Sequence, residues 1–210
     1  MAGQSILMVE GKDDEMVLKR ILEDYKIAGI EVKNNQSIST LKTNIGVQIK
    51  GLIDKEGFRS IGIIVDADQD VRAAYDSIKN RCAKKGFDLP KHPVQNGTII
   101  VKDSFAIGVW LMPNNQLKGN LEDFIALLIS SHDKIEPEVR TFLENLKLKN
   151  LARYNTGDAS KAFLYTWLAV QKDLGKTLSH AFLKKYLVDN HPNMINFIAW
   201  LQKLAPPPIP

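Results

Sequence analysis

Two short acidic stretches hold the residues best suited to chemistry: VEGKDDE at 9–15 and DADQD at 66–70. Each follows directly on an apolar run, ILMV before the first and SIGIIV before the second. Glu10, Asp66 and Asp68 are therefore expected at the carboxyl ends of buried strands, where open parallel sheets bind their ligands. Carboxylates brought that close repel one another unless a cation lies between them. Oxygen donors without a nearby histidine or cysteine favour Mg2+, or Mn2+, over zinc. In a segment that is still extended, residues two apart point the same way, so the spacing predicts that Asp66 and Asp68 reach one ion together. Asp70 is a further candidate ligand, and equally a candidate cap for a following helix. Asp13, Asp14 and Glu15 are what the positive end of a helix prefers, and Asp13 or Asp14 is expected to cap it.

The surrounding pattern supplies the elements that must position these acids. Strands are expected at 5–9, 30–32 and 60–65, with helices following at about 13–22, 41–53 and 71–85, the last closed by Gly86. Strand and helix alternating in this way imply a parallel sheet with right-handed crossovers. If the first and third strands are neighbours, Glu10 faces Asp66 and Asp68. Beyond Pro90 come strand-like stretches at 98–101 and 106–111. Helices follow from Gly119 or Asn120 and at roughly 137–148, 159–174, 178–189 and 193–204. The fold class is α/β, a Rossmann-like sheet flanked by helices with a helical C-terminal extension. Residues 1–116 form the expected core, 117–204 a helical region packed on it, and 205–210 a proline-rich end piece.

The 210 residues suffice for one domain of ordinary size, and 44% hydrophobic with 25% charged residues is the composition of a folded chain. No apolar run approaches the roughly 20 residues needed to span a bilayer, and MAGQS does not open like an export signal. A lone Cys82 has no internal disulfide partner, which fits a reducing cytoplasm. The net charge of +4 is unevenly spread: residues 1–70 carry 9 Lys and Arg against 12 Asp and Glu, and residues 141–210 carry 9 against 4. A phosphate polymer held by the basic back and cut at the acidic front would suit this asymmetry; a solvated basic helical surface also accounts for it. Trp110, Trp167 and Trp200 could stack on bases, but in apolar strands and helices they read as core, as does the stripe Phe163, Trp167, Val170. His92, His132, His180 and His191 show no metal-ligand spacing.

With both motifs placed, the pattern resembles the Toprim domain of topoisomerases, bacterial primases, recombination mediators and overcoming-lysogenization-defect nucleases. That family carries a glutamate after its first strand and an Asp-x-Asp after its third. VEGKDD looks like the corresponding stretch of the Toprim ribonucleases that mature ribosomal RNA, and DADQD looks like the motif of type II topoisomerases, with Val71 where those have glycine. The remainder, including VWLMPNNQLKGNLEDF and KAFLYTWLAVQKDLGKTLSHAFLKKYL, looks like a family of small standalone Toprim-related proteins of unassigned function.

The resemblance implies a Mg2+-dependent nuclease or phosphotransferase acting on RNA or DNA, with water as the nucleophile. Asp66 and Asp68 would hold metal, and Glu10 would be a ligand or the general acid/base. Lys12, in the same loop, could balance charge on the phosphorus. Glu122 is the candidate for the further acid that related nucleases carry downstream, its plain alternative being a favourable helix start. Lys161 opens a helix, where its charge opposes the dipole, and is a weaker catalytic candidate. A non-catalytic module binding nucleic acid or a protein is the competing expectation, and a regulatory protein partner is compatible with either.

Overall fold

The computed structural model describes residues 4–53, 55–173 and 177–205. Five strands, β1 (Gln4–Val9), β2 (Ile30–Asn34), β3 (Phe58–Asp66), β4 (Thr98–Lys102) and β5 (Phe105–Met112), form one sheet in the order β2-β1-β3-β5-β4. The first three and β5 run parallel, and β4 pairs antiparallel with β5 along the edge. The chain is α/β, as expected. The β4–β5 hairpin turns at Asp103 and Ser104, both with positive φ (48° and 65°), the backbone that tight hairpin turns require.

Three helices cross between strands or leave the sheet in its first half: α1 (Lys12–Asp24), α2 (Ile38–Ile53) and α3 (Val71–Ala83). Five more follow: α4 (Leu121–Leu127), α5 (Ile135–Leu148), α6 (Ala159–Ala169), α7 (Leu178–Leu183) and α8 (Pro192–Leu204). α6 and α7 end several residues before the helical spacing predicts. Val170 is consequently not part of the packing stripe: it caps α6 and is 54% exposed, whereas Phe163 and Trp167 are buried. The proline-rich stretch 206–210 lies outside the described residues.

Strand alternation divides the core in two. Leu7, Val9, Ile64 and Trp110 point to one face, covered by α1, α4, α6, α7 and α8. Ile6, Met8, Ile63 and Val65 point to the other, covered by α2 and α3. The helical region after residue 117 thus shares the first face's core with β1 and β3. All three tryptophans lie in that core, at 1% exposure or less.

The docking of α8 explains two glycines. Gly62 and Gly108 stand opposite each other on β3 and β5. A Cβ on Gly62 would come within 2.9 Å of Leu204, and one on Gly108 within 2.8 Å of it and 3.1 Å of Trp200. Their bareness lets α8 lie flat on the sheet. The indole of Trp200 donates to the Thr98 carbonyl (3.2 Å). At the far end Ser5 Oγ donates to the Leu204 carbonyl (2.7 Å), with Ser60 Oγ 2.8 Å from the same oxygen.

Candidate functional site

β1 lies between β2 and β3, and the chain leaves it in one direction and returns on the other side, so the sheet's topological switch lies between β1 and β3. A crevice opens there at the carboxyl ends of the strands. Glu10 follows β1 and Asp66 ends β3, so the two central strands deliver one acid each. Their placement is fixed by the backbone: the Asp66 amide donates to Glu10 Oε1 (2.8 Å), and the Leu121 amide at the start of α4 donates to Asp66 Oδ1 (3.1 Å). A helix N-terminus therefore faces the Asp66 carboxylate.

Asp68 has a different position from the one alternation predicts. β3 ends at Asp66, and Asp68 is in the left-handed region (φ 49°), so the two side chains do not share an extended segment. Aspartate tolerates that backbone better than most residues. The main chain of Asp68 exchanges two hydrogen bonds with Gly119 (2.9 and 2.8 Å), tying the loop after β3 to the loop before α4. Its side chain is exposed, yet still close enough to add repulsion to Glu10 and Asp66. Asp70 caps α3, its Oδ1 accepting from the amides of Arg72 (2.8 Å) and Ala73 (3.0 Å).

Two further acids complete the cluster. Glu122, one residue into α4 and 5% exposed, lines a cleft of about 230 Å3 with Asp66, Asp14, Lys12 and Lys161. Asp14 is the residue whose placement in this group the sequence reading missed. It does not occupy the cap position of α1, which belongs to Gly11; from the first turn its carboxylate accepts the Gly11 amide (3.0 Å). The side chain is partly turned inward, where α4 and α6 meet it, a long-range arrangement with no local signal. Asp13 is held by the Tyr165 hydroxyl (3.1 Å) from α6. Glu15 belongs to the surface: Lys19 and Lys12 hold its carboxyl down to about 2.

The cluster is electrostatically unresolved. Burial pushes Asp66 up to about 9, with repulsion from Glu10, Asp14, Glu122 and Asp68 added to it. Burial likewise raises Glu10 to about 7, opposed by the Asp66 amide, with Asp14 and Asp68 adding to the rise and Lys42 reducing it. Asp14 and Glu122 are also raised by burial, and Lys161 moderates both. Lys42, on α2, is a site neighbour that the sequence pattern does not single out; it lines an adjoining hollow of about 300 Å3 with Asp66, Asp68 and Asp70. Lys12 stands 69% exposed at the rim and pairs with Glu15 at 3.0 Å.

Among the described residues, no three Asp, Glu, His or Cys side chains are already grouped to hold a metal ion. The donor set nevertheless fits a hard divalent cation in kind, since it is all carboxylate. Each backbone hydrogen bond engages one oxygen, Oε1 of Glu10 and Oδ1 of Asp66, and leaves the second for another partner. The histidines lie elsewhere; His191 caps α8 by accepting from the Asn193 amide (3.3 Å).

No curated protein and no solved structure matches the chain. No helix among the described residues is long and apolar enough to cross a membrane. A family model described as a protein of unknown function, DUF3226, matches residues 4–206, and with nearly its whole length covered the chain belongs to that family.

Proposed function

We propose that the protein is a Mg2+- or Mn2+-dependent phosphodiesterase, a nuclease or related phosphotransferase acting on nucleic acid. One observation carries the reading: Asp66, Asp14 and Glu122 line one cleft with Glu10 beside Asp66, and Lys161 and Lys42 offset their mutual repulsion only in part. Burying acids that repel one another costs a fold stability until protons or a cation offset them, and a divalent cation does so with the acids ionised. The order of Glu10 and the Asp66-x-Asp68 pair along the chain, which resembles Toprim proteins, supports the same chemistry.

Asp66 and Glu10 would hold the cation, with Asp68, Asp14 and Glu122 as further oxygen donors. When bound, a divalent cation neutralises phosphate charge and lowers the pKa of a coordinated water. The chain's own cations surround this centre. Lys161 lies in the cleft against Glu122 and Asp14, and Lys12 stands on the rim, so both can approach non-bridging phosphate oxygens. Glu10 is a ligand or exchanges the proton of the nucleophile, the two roles the Toprim resemblance implies. A reducing cytoplasm suits the single buried Cys82.

The second reading is a non-catalytic module that binds nucleic acid or a protein. The absence of a ready three-residue metal group among the described residues favours it. Calorimetric titration of Mn2+ and Mg2+ into the wild type and the Asp66→Asn/Asp68→Asn double variant separates the two, with folding followed by circular dichroism and cleavage by RNA and DNA oligonucleotides. Binding in the wild type alone, with cleavage that Glu10→Gln abolishes, supports the phosphodiesterase. Equal metal binding in both proteins removes the acids from the site. No metal binding with or without oligonucleotide leaves the non-catalytic module.

A further inference from the structure

A second cleft, of about 440 Å3, opens between α5, α4 and the N-terminal half of α6. It is joined to the acid cleft by sequence neighbours. On α4, Glu122 lines the acid cleft and Asp123 the second; on α6, Lys161 lines the acid cleft and Ser160 the second. The two openings therefore flank the same pair of helix starts, one residue apart on each.

Their chemistry differs. In the second cleft the Arg140 guanidinium lies 4.0 Å over the Phe163 ring, and the Lys147 ammonium 5.8 Å from the Tyr154 ring. The Arg140 side chain is 56% exposed and pairs through Nε with Glu136; Lys147 is exposed and Tyr154 half-buried. Two acids also line the cleft. The Asp123 carboxylate accepts from the Asn120 amide (3.0 Å), and Glu144 lines the cleft from α5. A planar cation backed by a ring, beside an ammonium and a tyrosine, offers stacking surface for a base and charge for a phosphate. A base paired in a duplex stays stacked on its neighbours and cannot enter, whereas an unpaired one can.

We propose that this cleft seats an unpaired nucleotide flanking the scissile phosphate of a single-stranded polynucleotide, with Lys147 on the phosphate and Arg140 and Tyr154 on the base. The assignment rests on the phosphodiesterase reading, which places the scissile phosphate at the acid cleft. It predicts preference for single strands, which the acid cluster alone does not.

The test uses equilibrium binding, so it does not depend on turnover. Fluorescence anisotropy of labelled oligouridylate, oligothymidylate and a matched duplex is measured with Ca2+ in place of Mg2+. The wild type should bind single strands more tightly than duplex, the two single-stranded probes distinguishing RNA from DNA. Lys147→Ala and Tyr154→Ala should each weaken binding about tenfold, and Lys172→Ala, an exposed lysine elsewhere, by no more than about twofold. Irradiating a bound 4-thiouridine oligonucleotide should crosslink the peptide containing Tyr154. Unchanged affinity in both variants, a crosslink confined to other segments, or no oligonucleotide binding at all overturns the cleft. Metal binding reports separately on the acid site. If the cleft variants lose affinity while metal titration fails, the phosphodiesterase reading and the placement beside a scissile phosphate both fall, and the cleft is the nucleotide seat of a non-catalytic binding module.

Discussion

Asp66 and Asp70 lie four residues apart on one loop, and the fold treats them in opposite ways. Asp70 is exposed at the start of α3, where two backbone amides satisfy its carboxylate. Asp66 receives one amide, is largely enclosed, and shares its surroundings with four other acids. The first is a carboxylate that stabilises a helix. The second accepts the first amide of α4 but is pushed up to about 9 by burial and its neighbours, so its ionised form calls for a partner brought from outside. Acidic residues on a sheet's carboxyl edge thus divide by what their hydrogen bonds leave unmet.

Substitution of each should sharpen the contrast. Asp66→Asn keeps an oxygen for the Leu121 amide but removes the ionisable carboxyl, so cleavage should fall by about 10²–10⁴-fold; the melting temperature of the metal-free protein should hold near neutral pH and rise at alkaline pH, where the wild-type carboxyl ionises among other acids. A large loss of stability alongside the lost activity would make Asp66 a structural residue instead.

The next effect is on pH dependence. Glu10 and Asp66 have folded-state values raised to about 7 and about 9 from 4.5 and 3.8, so the metal-free fold binds more protons than the unfolded chain. Their contribution to stability is complete below about 4 and is lost as pH rises through about 7 and then about 9. Thermal melts in chelator should therefore fall in temperature from pH 5 to pH 9, Mg2+ should restore the alkaline end, and Glu10→Gln should flatten the first part of the slope. A level profile in chelator would remove the electrostatic argument for the site.

The smallest effect belongs to the other aspartate. Asp70→Ala should cost about 1 kcal/mol, the usual loss for a helix cap, and leave metal affinity unchanged. A drop in metal affinity equal to that of the Asp66 variant would erase the contrast and return Asp70 to the ligands.

Much of this was legible in the chain. The apolar runs ending at Val9 and Val65 marked the two central strands, and their parallel pairing brings Glu10 to Asp66 as the pattern implied. The turn at Gly119 and Asn120 marks the start of α4 that carries Glu122, whereas its place beside the other acids was expected only from the resemblance to nucleases. What could not be read depended on backbone or on distance. Alternation failed at Asp68 because the strand stops at Asp66 and the next residues turn left-handed to clasp Gly119. Asp14 and Lys42 enter the site through packing of α1 and α2 against partners far along the chain, which no local spacing records. The ends of α6 and α7 were overrun because helical periodicity continues past the point where tertiary contacts stop supporting it.

The clasp between Ser5 and the Leu204 carbonyl joins positions separated by 199 residues. During synthesis, β1 and β3 emerge early, but the flat strip left by Gly62 and Gly108 stays bare until α8 is released from the ribosome. Nascent chains that stop short of α8 would carry both acid motifs while exposing an apolar sheet face. Closure of this face is thus tied to delivery of α8, and contacts of such long sequence separation favour slow closure. Unfinished copies should be recognised by chaperones and proteases before the acid-lined crevice is properly formed.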